Sequence, residues 1–159
     1  RSAAKSKRCL VILSGYFEHH WVDGNQKNKI PYYIEFKNKL PMYMAGLWEE
    51  WVNKETGEVV NTVSLVTTVA NEPLKKVHNR DPDNPRMLTI PPYEIKHEGL
   101  RDIEMKSDKD YIQTLIQTYP SEELTIYPVG KLKGKYGLGD VPEALEKVDH
   151  PELKLPVLD

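Results

Sequence analysis

The chain has 159 residues, 39% of them hydrophobic and 29% charged, and a formal charge of −2. That composition suits one ordinary globular domain with a real core. It leaves no candidate for a membrane-spanning helix: the longest apolar run, Cys9 to Leu13, has strand length, far from the roughly 20 residues such a helix needs. The polar, basic start carries no signal peptide. A single cysteine excludes an internal disulfide and fits a reducing compartment. The expectation is a cytoplasmic protein, acting as a monomer, with no membrane contact.

Charge is unevenly spread. From Asp140 to Asp159 six acids face two bases, a net of −4, which leaves the preceding 139 residues at +2. Two clusters there are purely basic: Arg1, Lys5, Lys7 and Arg8, then Lys131, Lys133 and Lys135. Such clusters can meet phosphates, although solvated surface is the plainer reading of charge alone.

The run from Arg8 to Ser14 is aliphatic and β-branched, and predicts a buried strand. Gly15 follows, then Tyr16 to Trp21, with Asp23-Gly24 as a turn signal. Pro31 to Phe36 and Met42 to Trp48 read as strands, and Val59 to Val69 as a longer one. Together they predict an antiparallel meander, curled toward a barrel. Glu72 to Val77 predicts a short helical turn started by Pro73, and Asn79 to Pro85 a loop. Ser107 reads as an N-cap, and Ile112, Leu115, Ile116 and Tyr119 follow at helical spacing until Pro120. A strand at Leu124 to Val129, a Gly/Lys loop at Gly130 to Gly139 and a short helix at Pro142 to Val148 complete the chain. The fold class is α+β: an antiparallel, barrel-like curled sheet with a few short helices. There are no repeats and no linker, so residues 1–159 read as a single domain.

Two residues stand out for chemistry. Glu18 ends an apolar and aromatic run, and a carboxylate held against Tyr16 and Phe17 would have its pKa raised and serve as a general acid or base. His78 sits between a helical turn and a loop rich in Asp, Pro and Arg. Taken alone, a strand-end glutamate and a surface histidine are the plainer readings. His19 and His20 are adjacent and would point to opposite faces of a strand, which suits no shared metal. The five histidines and one cysteine show no zinc-type spacing, so neither metal nor cofactor is expected. Cys9 lies inside an apolar run and reads as core. The segment from Gly130 to Tyr136 resembles a phosphate loop only loosely, one residue short and without the Ser or Thr. Arg80, Arg86, Trp21, Trp48 and the basic clusters have the composition of a groove for single-stranded DNA.

The order of the pieces says more than any one of them. Arg8-Cys9-Leu10-Val11, Ser14-Gly15-Tyr16-Phe17-Glu18, Pro31-Tyr32-Tyr33-Ile34, Ala45-Gly46-Leu47-Trp48-Glu49, Thr67-Thr68-Val69-Ala70-Asn71, and Val77-His78-Asn79 with Arg86-Met87 follow one another at plausible spacings. This series resembles the SRAP family, the SOS-response-associated peptidases that sense abasic sites in single-stranded DNA. The resemblance runs from about Arg1 into the strand at Tyr127 to Val129. It implies a cysteine at the mature N-terminus, exposed by autocatalytic removal of the initiator Met. Its α-amine attacks the sugar aldehyde of the abasic site and its thiol closes a thiazolidine ring, a stable DNA–protein crosslink. It implies that Glu18 promotes ring opening and assists reversal, and that His78 positions the sugar and the Schiff base. Thr67 matches a family threonine near the site. The family arginine falls on Arg80 or on Arg86, and Arg1 and His19 join them as DNA contacts.

The departures are specific. The N-terminal Cys-Gly-Arg and the Asn-Ala-Arg motif are absent from these residues, so the expectation is a domain whose N-terminal portion is missing and which is inactive as it stands. Cys9 cannot supply both amine and thiol, because its nitrogen lies in a peptide bond. His19 stands where relatives carry Trp, and Leu88 where they carry Pro. Two other readings stay open. One is a non-catalytic module that binds single-stranded nucleic acid; the other is an unrelated hydrolase using a Glu/His acid–base pair.

Overall fold

The computed structural model describes residues 3–24, 27–104, 106–151 and 158. In chain order the elements are α1 (Ala3–Ser6), β1 (Arg8–Leu13), β2 (Tyr16–Trp21), β3 (Lys29–Phe36), β4 (Met42–Val52), β5 (Val59–Leu65), β6 (Thr67–Val69), α2 (Glu72–Val77), β7 (Arg86–Leu88), α3 (Lys106–Thr114) and β8 (Leu124–Pro128), with short 3-10 turns between them. The chain forms two compact units. The first holds Arg1–Ile12, Tyr43–Thr68 and Leu88–Tyr119, and the second Leu13–Met42, Val69–Met87 and Pro120–Asp159.

The α+β class holds, with antiparallel sheets and few short helices. The strands fall into separate sheets that do not close into a barrel. In the first unit the order is β1-β4-β5, with β4 and β5 antiparallel from Gly46 opposite Leu65 to Val52 opposite Val59. In the second the order is β2-β3-β8, antiparallel throughout. β6 and β7 form a two-stranded sheet. The expected meander breaks between β3 and β4. Lys39 takes a left-handed backbone there (φ 59°) and Pro41 follows, and β4 pairs with β1 and β5 instead of β3.

In the second unit β3 is the central strand and is buried from Ile30 to Phe36, as its near-continuous apolar run requires. Leu124 and Ile126 on β8, Leu74 and Val77 on α2, and Val129 beyond β8 complete this core. The β2–β3 hairpin turns where Asp23 and Gly24 both adopt positive φ (51° and 69°), and Val22 N–H closes it onto Asn28 C=O at 3.0 Å. α2 starts where Asn71 Oδ1 accepts the Leu74 N–H at 3.1 Å, with Pro73 in its first turn. No helix among the described residues is long and apolar enough to cross a membrane.

Candidate active site

β2 is an edge strand of its sheet. Strand alternation sends Tyr16, Glu18 and His20 to one side and Phe17, His19 and Trp21 to the other. Contacts of β2 with α2 and the residues just past it set the site. His20 Nδ1 lies 3.0 Å from the Lys76 carbonyl oxygen. The Asn79 amide brackets the Trp21 backbone, accepting its N–H and donating to its C=O, both at 2.8 Å. His78 ends α2, its N–H donating to Leu74 C=O at 2.7 Å. Between these ties the His78 ring faces Glu18, with Nδ1 3.2 Å from Oε2.

The two oxygens of Glu18 have different neighbours. Oε1 accepts the His19 N–H at 2.7 Å, and Oε2 faces the imidazole. The 3.2 Å approach lies off the hydrogen-bonding direction, so the buried Nδ1 has an ion-pair contact but no aligned hydrogen bond among the described residues. About a quarter of each side chain stays exposed, 25% for His78 and 27% for Glu18. This is a carboxylate–imidazole pair that solvent or a substrate can reach.

Tyr16 shares the Glu18 side of β2. Burial, and secondarily the Glu18 charge, push its phenol well above the ordinary range, so it remains a neutral donor. Its buried hydroxyl has no acceptor among the described residues. Gly15 explains the start of this motif: an added Cβ would stand 2.4 Å from the Tyr33 ring and 2.6 Å from the Ile34 carbonyl oxygen. Without a side chain there, Tyr33 packs over the strand and meets Phe17 with ring centroids 5.2 Å apart.

The other expected site residues are placed unevenly. His19 is exposed on the opposite side of β2 and lines an open basin with Lys29, Lys131 and Lys133. Burial lowers its pKa; Glu18 opposes this, and Lys29 and Lys133 add to it. Arg80 is exposed, its guanidinium 5.7 Å from the Trp21 ring, and Lys29 lies 5.3 Å from the same ring. Arg86 opens β7 and is half-buried, and Thr67 opens β6, exposed, in the first unit. Arg1 lies outside the described residues. Trp48 is also in the first unit, under Lys7 at 5.3 Å. Sequence reasoning missed the clamp formed by Asn79. Its one signal was an Asn just past a helix end, which does not say whose backbone it grips.

The SOS response associated peptidase (SRAP) family matches residues 1–135. The abasic site processing protein YoqW of Bacillus subtilis is 33% identical over 132 residues, 83% of this chain and 54% of the relative. The abasic site processing protein HMCES of Xenopus tropicalis is 25% identical over 174 aligned positions, 99% of this chain and 48% of the relative. A crystal structure of a Bacteroides thetaiotaomicron protein superposes with a TM-score of 0.75 at 28% identity, covering 93% of this chain and 60% of that one. The chain belongs to the SRAP family. It spans about half the length of the curated relatives it matches.

Proposed function

We propose that this chain processes abasic sites in single-stranded DNA, with Glu18 and His78 as its proton-transfer pair. The observation that carries the reading is the 3.2 Å contact of Glu18 Oε2 with His78 Nδ1, part-exposed on an edge strand, in a chain whose relatives are named abasic site processing proteins. A closed abasic sugar opens when a proton leaves its anomeric hydroxyl and another reaches the ring oxygen. A carboxylate beside an imidazole is suited to both transfers near neutral pH. The resulting aldehyde condenses with an amine, losing water, to a Schiff base, and a thiol adds across that C=N bond to close a thiazolidine. Cys9 does not provide this amine, since its nitrogen is in a peptide bond. The nucleophile is assigned to a terminal cysteine outside these 159 residues, freed by removal of an initiator Met. His19 and Arg80 hold the strand.

The test uses the full-length encoded protein and a single-stranded oligonucleotide with one abasic site, resolved on denaturing gels. A covalent species is expected, and Glu18→Gln should slow its formation by about 10²–10⁴-fold, the usual weight of a general acid–base group. No covalent species with intact protein would sink the reading. Formation and reversal both unchanged in Glu18→Gln would remove Glu18 from it.

A further inference from the structure

The basin beside His19 has a definite chemistry. It encloses about 440 Å³ between β2, β3 and the loop beyond β8. Among the described residues its lining includes four lysines and His19 but no acidic residue. The loop that brings Lys131 and Lys133 is closed on itself. Leu138 N–H donates to Lys131 C=O at 2.8 Å, Gly139 N–H to Leu132 C=O at 3.1 Å, and Gly137 N–H to Gly134 C=O at 3.0 Å. A Cβ on Gly137 would fall 2.5 Å from the Lys133 backbone nitrogen, and Gly134 sits at φ 93°, so the glycines of this run fix the path that presents the lysines. Lys135, the third cation of the run, turns to the Tyr136 ring at 5.4 Å and is not part of the basin lining.

The basin is also joined to the site. Arg80, two residues past His78, and Lys29, in the basin wall, both lie against Trp21. The Trp21 ring, shared by the two cations, thus links the end of the His78 segment to the lysines. Cations interleaved with an aromatic ring are the usual means of tracking a single strand.

We infer that the basin of His19, Lys29, Lys131 and Lys133 seats a phosphodiester phosphate of the single strand whose damaged nucleotide lies at Glu18 and His78. The inference rests on the proposed function for the position of the damaged nucleotide, but not for the phosphate contact itself. The lysines supply charge, and His19 supplies an N–H donor at the basin's β2 wall. Arg80 and Trp21 carry the strand between the two places.

The experiment measures binding of the full-length protein to an undamaged single-stranded 15-mer by fluorescence anisotropy between 50 and 200 mM salt. Losing one seated phosphate should make the slope of log K against log salt shallower by about 0.7 in Lys29→Ala/Lys133→Ala. Lys29→Arg/Lys133→Arg should keep the wild-type slope. Lys54→Ala/Lys106→Ala, which removes two exposed lysines of the first unit, should also leave it unchanged. An unchanged slope in Lys29→Ala/Lys133→Ala, or an equal change in the control pair, overturns the inference. So does lysine-dependent capture by phosphatidylserine vesicles without DNA binding. A lysine-dependent slope with no reaction at an abasic site supports the basin and sinks the proposed function instead. No binding of single strands by the wild type sinks both.

Discussion

The two units carry opposite kinds of hollow. The first encloses an apolar cavity of about 220 Å³ where Cys9, Gly46, Val66, Thr89, Leu100 and Leu115 meet. Gly46 and Ala45 stand in its wall, and a Cβ on Gly46 would lie 3.0 Å from Cys9 Sγ. The Thr89 hydroxyl is fully buried without a partner among the described residues. Burial raises the Cys9 thiol pKa, which keeps it a weak nucleophile. The second unit instead carries a lysine-lined hollow at its surface, beside a buried core of Tyr32, Ile34, Leu124, Ile126 and Val129. Glu18 and His78 sit on a strand and a helix end backed by that buried core, a rigid mounting of the kind a precise site needs.

The largest expected effect breaks that contrast from inside. Ile34 is fully buried, opposite Tyr16 and Ile126 in the sheet. Ile34→Ala should cost about 4 kcal/mol, because truncating a fully buried side chain on a central strand leaves a cavity. Leu115 borders a cavity that already exists and keeps some exposure, 7% against none for Ile34, so Leu115→Ala should cost about 2 kcal/mol. Urea denaturation with hydrogen exchange resolved by residue separates the two. Equal costs would mean that the first unit is packed as tightly as the second.

The same contrast marks what the sequence could reveal. β2's neighbours, the Asp23-Gly24 turn and α2 follow from apolar runs, turn residues and a Pro in the first turn, all local signals. Strand partners are not local. An apolar run says that a strand is buried but not beside which strand, and so β1 beside β4, and β8 beside β3, were not legible. Two elements run differently from their periodicity. The long strand from Val59 divides at Val66, whose N–H goes to Ala45 C=O and whose C=O takes the Thr89 N–H. α3 stops at Thr114, short of Pro120. There the Thr114 hydroxyl donates to Tyr111 C=O at 2.6 Å, and Leu115 and Ile116 tighten to bonds three residues back. Ser107 falls inside that helix, and it is Asp108 that reaches back to the Glu104 N–H at 3.2 Å. Glu18 and His78 were legible as members of an ordered motif series. Their contact was not, because 60 residues separate them and Asn79's grip on Trp21 makes it.

The two basic clusters sharpen the comparison next. In sequence they look alike; in the fold Lys7 and Arg8 of the N-terminal one are spent on the protein itself. Lys7 pairs with Glu49. The Arg8 guanidinium donates to the carbonyls of Ala4 and Lys5 at 2.5 Å, of Gly99 at 2.7 Å, and of Arg101. Arg8→Ala should therefore destabilise by about 1–3 kcal/mol while leaving the salt dependence of DNA binding alone. Lys133→Ala should do the reverse: stability within about 0.5 kcal/mol of wild type, and a shallower salt slope. Denaturation midpoints and salt titrations of the two variants check this directly. An Arg8→Ala protein of wild-type stability would show that those four carbonyls are satisfied equally well by water.

The smallest expected effect probes the basin without removing a charge from it. His19 titrates below its ordinary value of about 6.5, first through burial, with Glu18 pulling up and Lys29 and Lys133 pushing down. A histidine depressed in the folded state takes its proton later than the unfolded chain does. Its contribution to stability is thus complete above about pH 6.5, and shrinks as pH falls from there toward the folded value. At this exposed position the change stays under about 1 kcal/mol, because solvent screens it. It should appear as a larger loss of urea midpoint between pH 7.5 and 5.5 in wild type than in His19→Gln. Lys133→Ala removes one of the charges that holds the value down, so the His19 ring signal in an NMR titration should move to a higher midpoint. Single-stranded DNA should move it the same way, because a phosphate in the basin opposes both lysines at once. A His19 midpoint that ignores Lys133→Ala would show that burial alone sets it, and that the lysines stand too far off to share one phosphate with the ring.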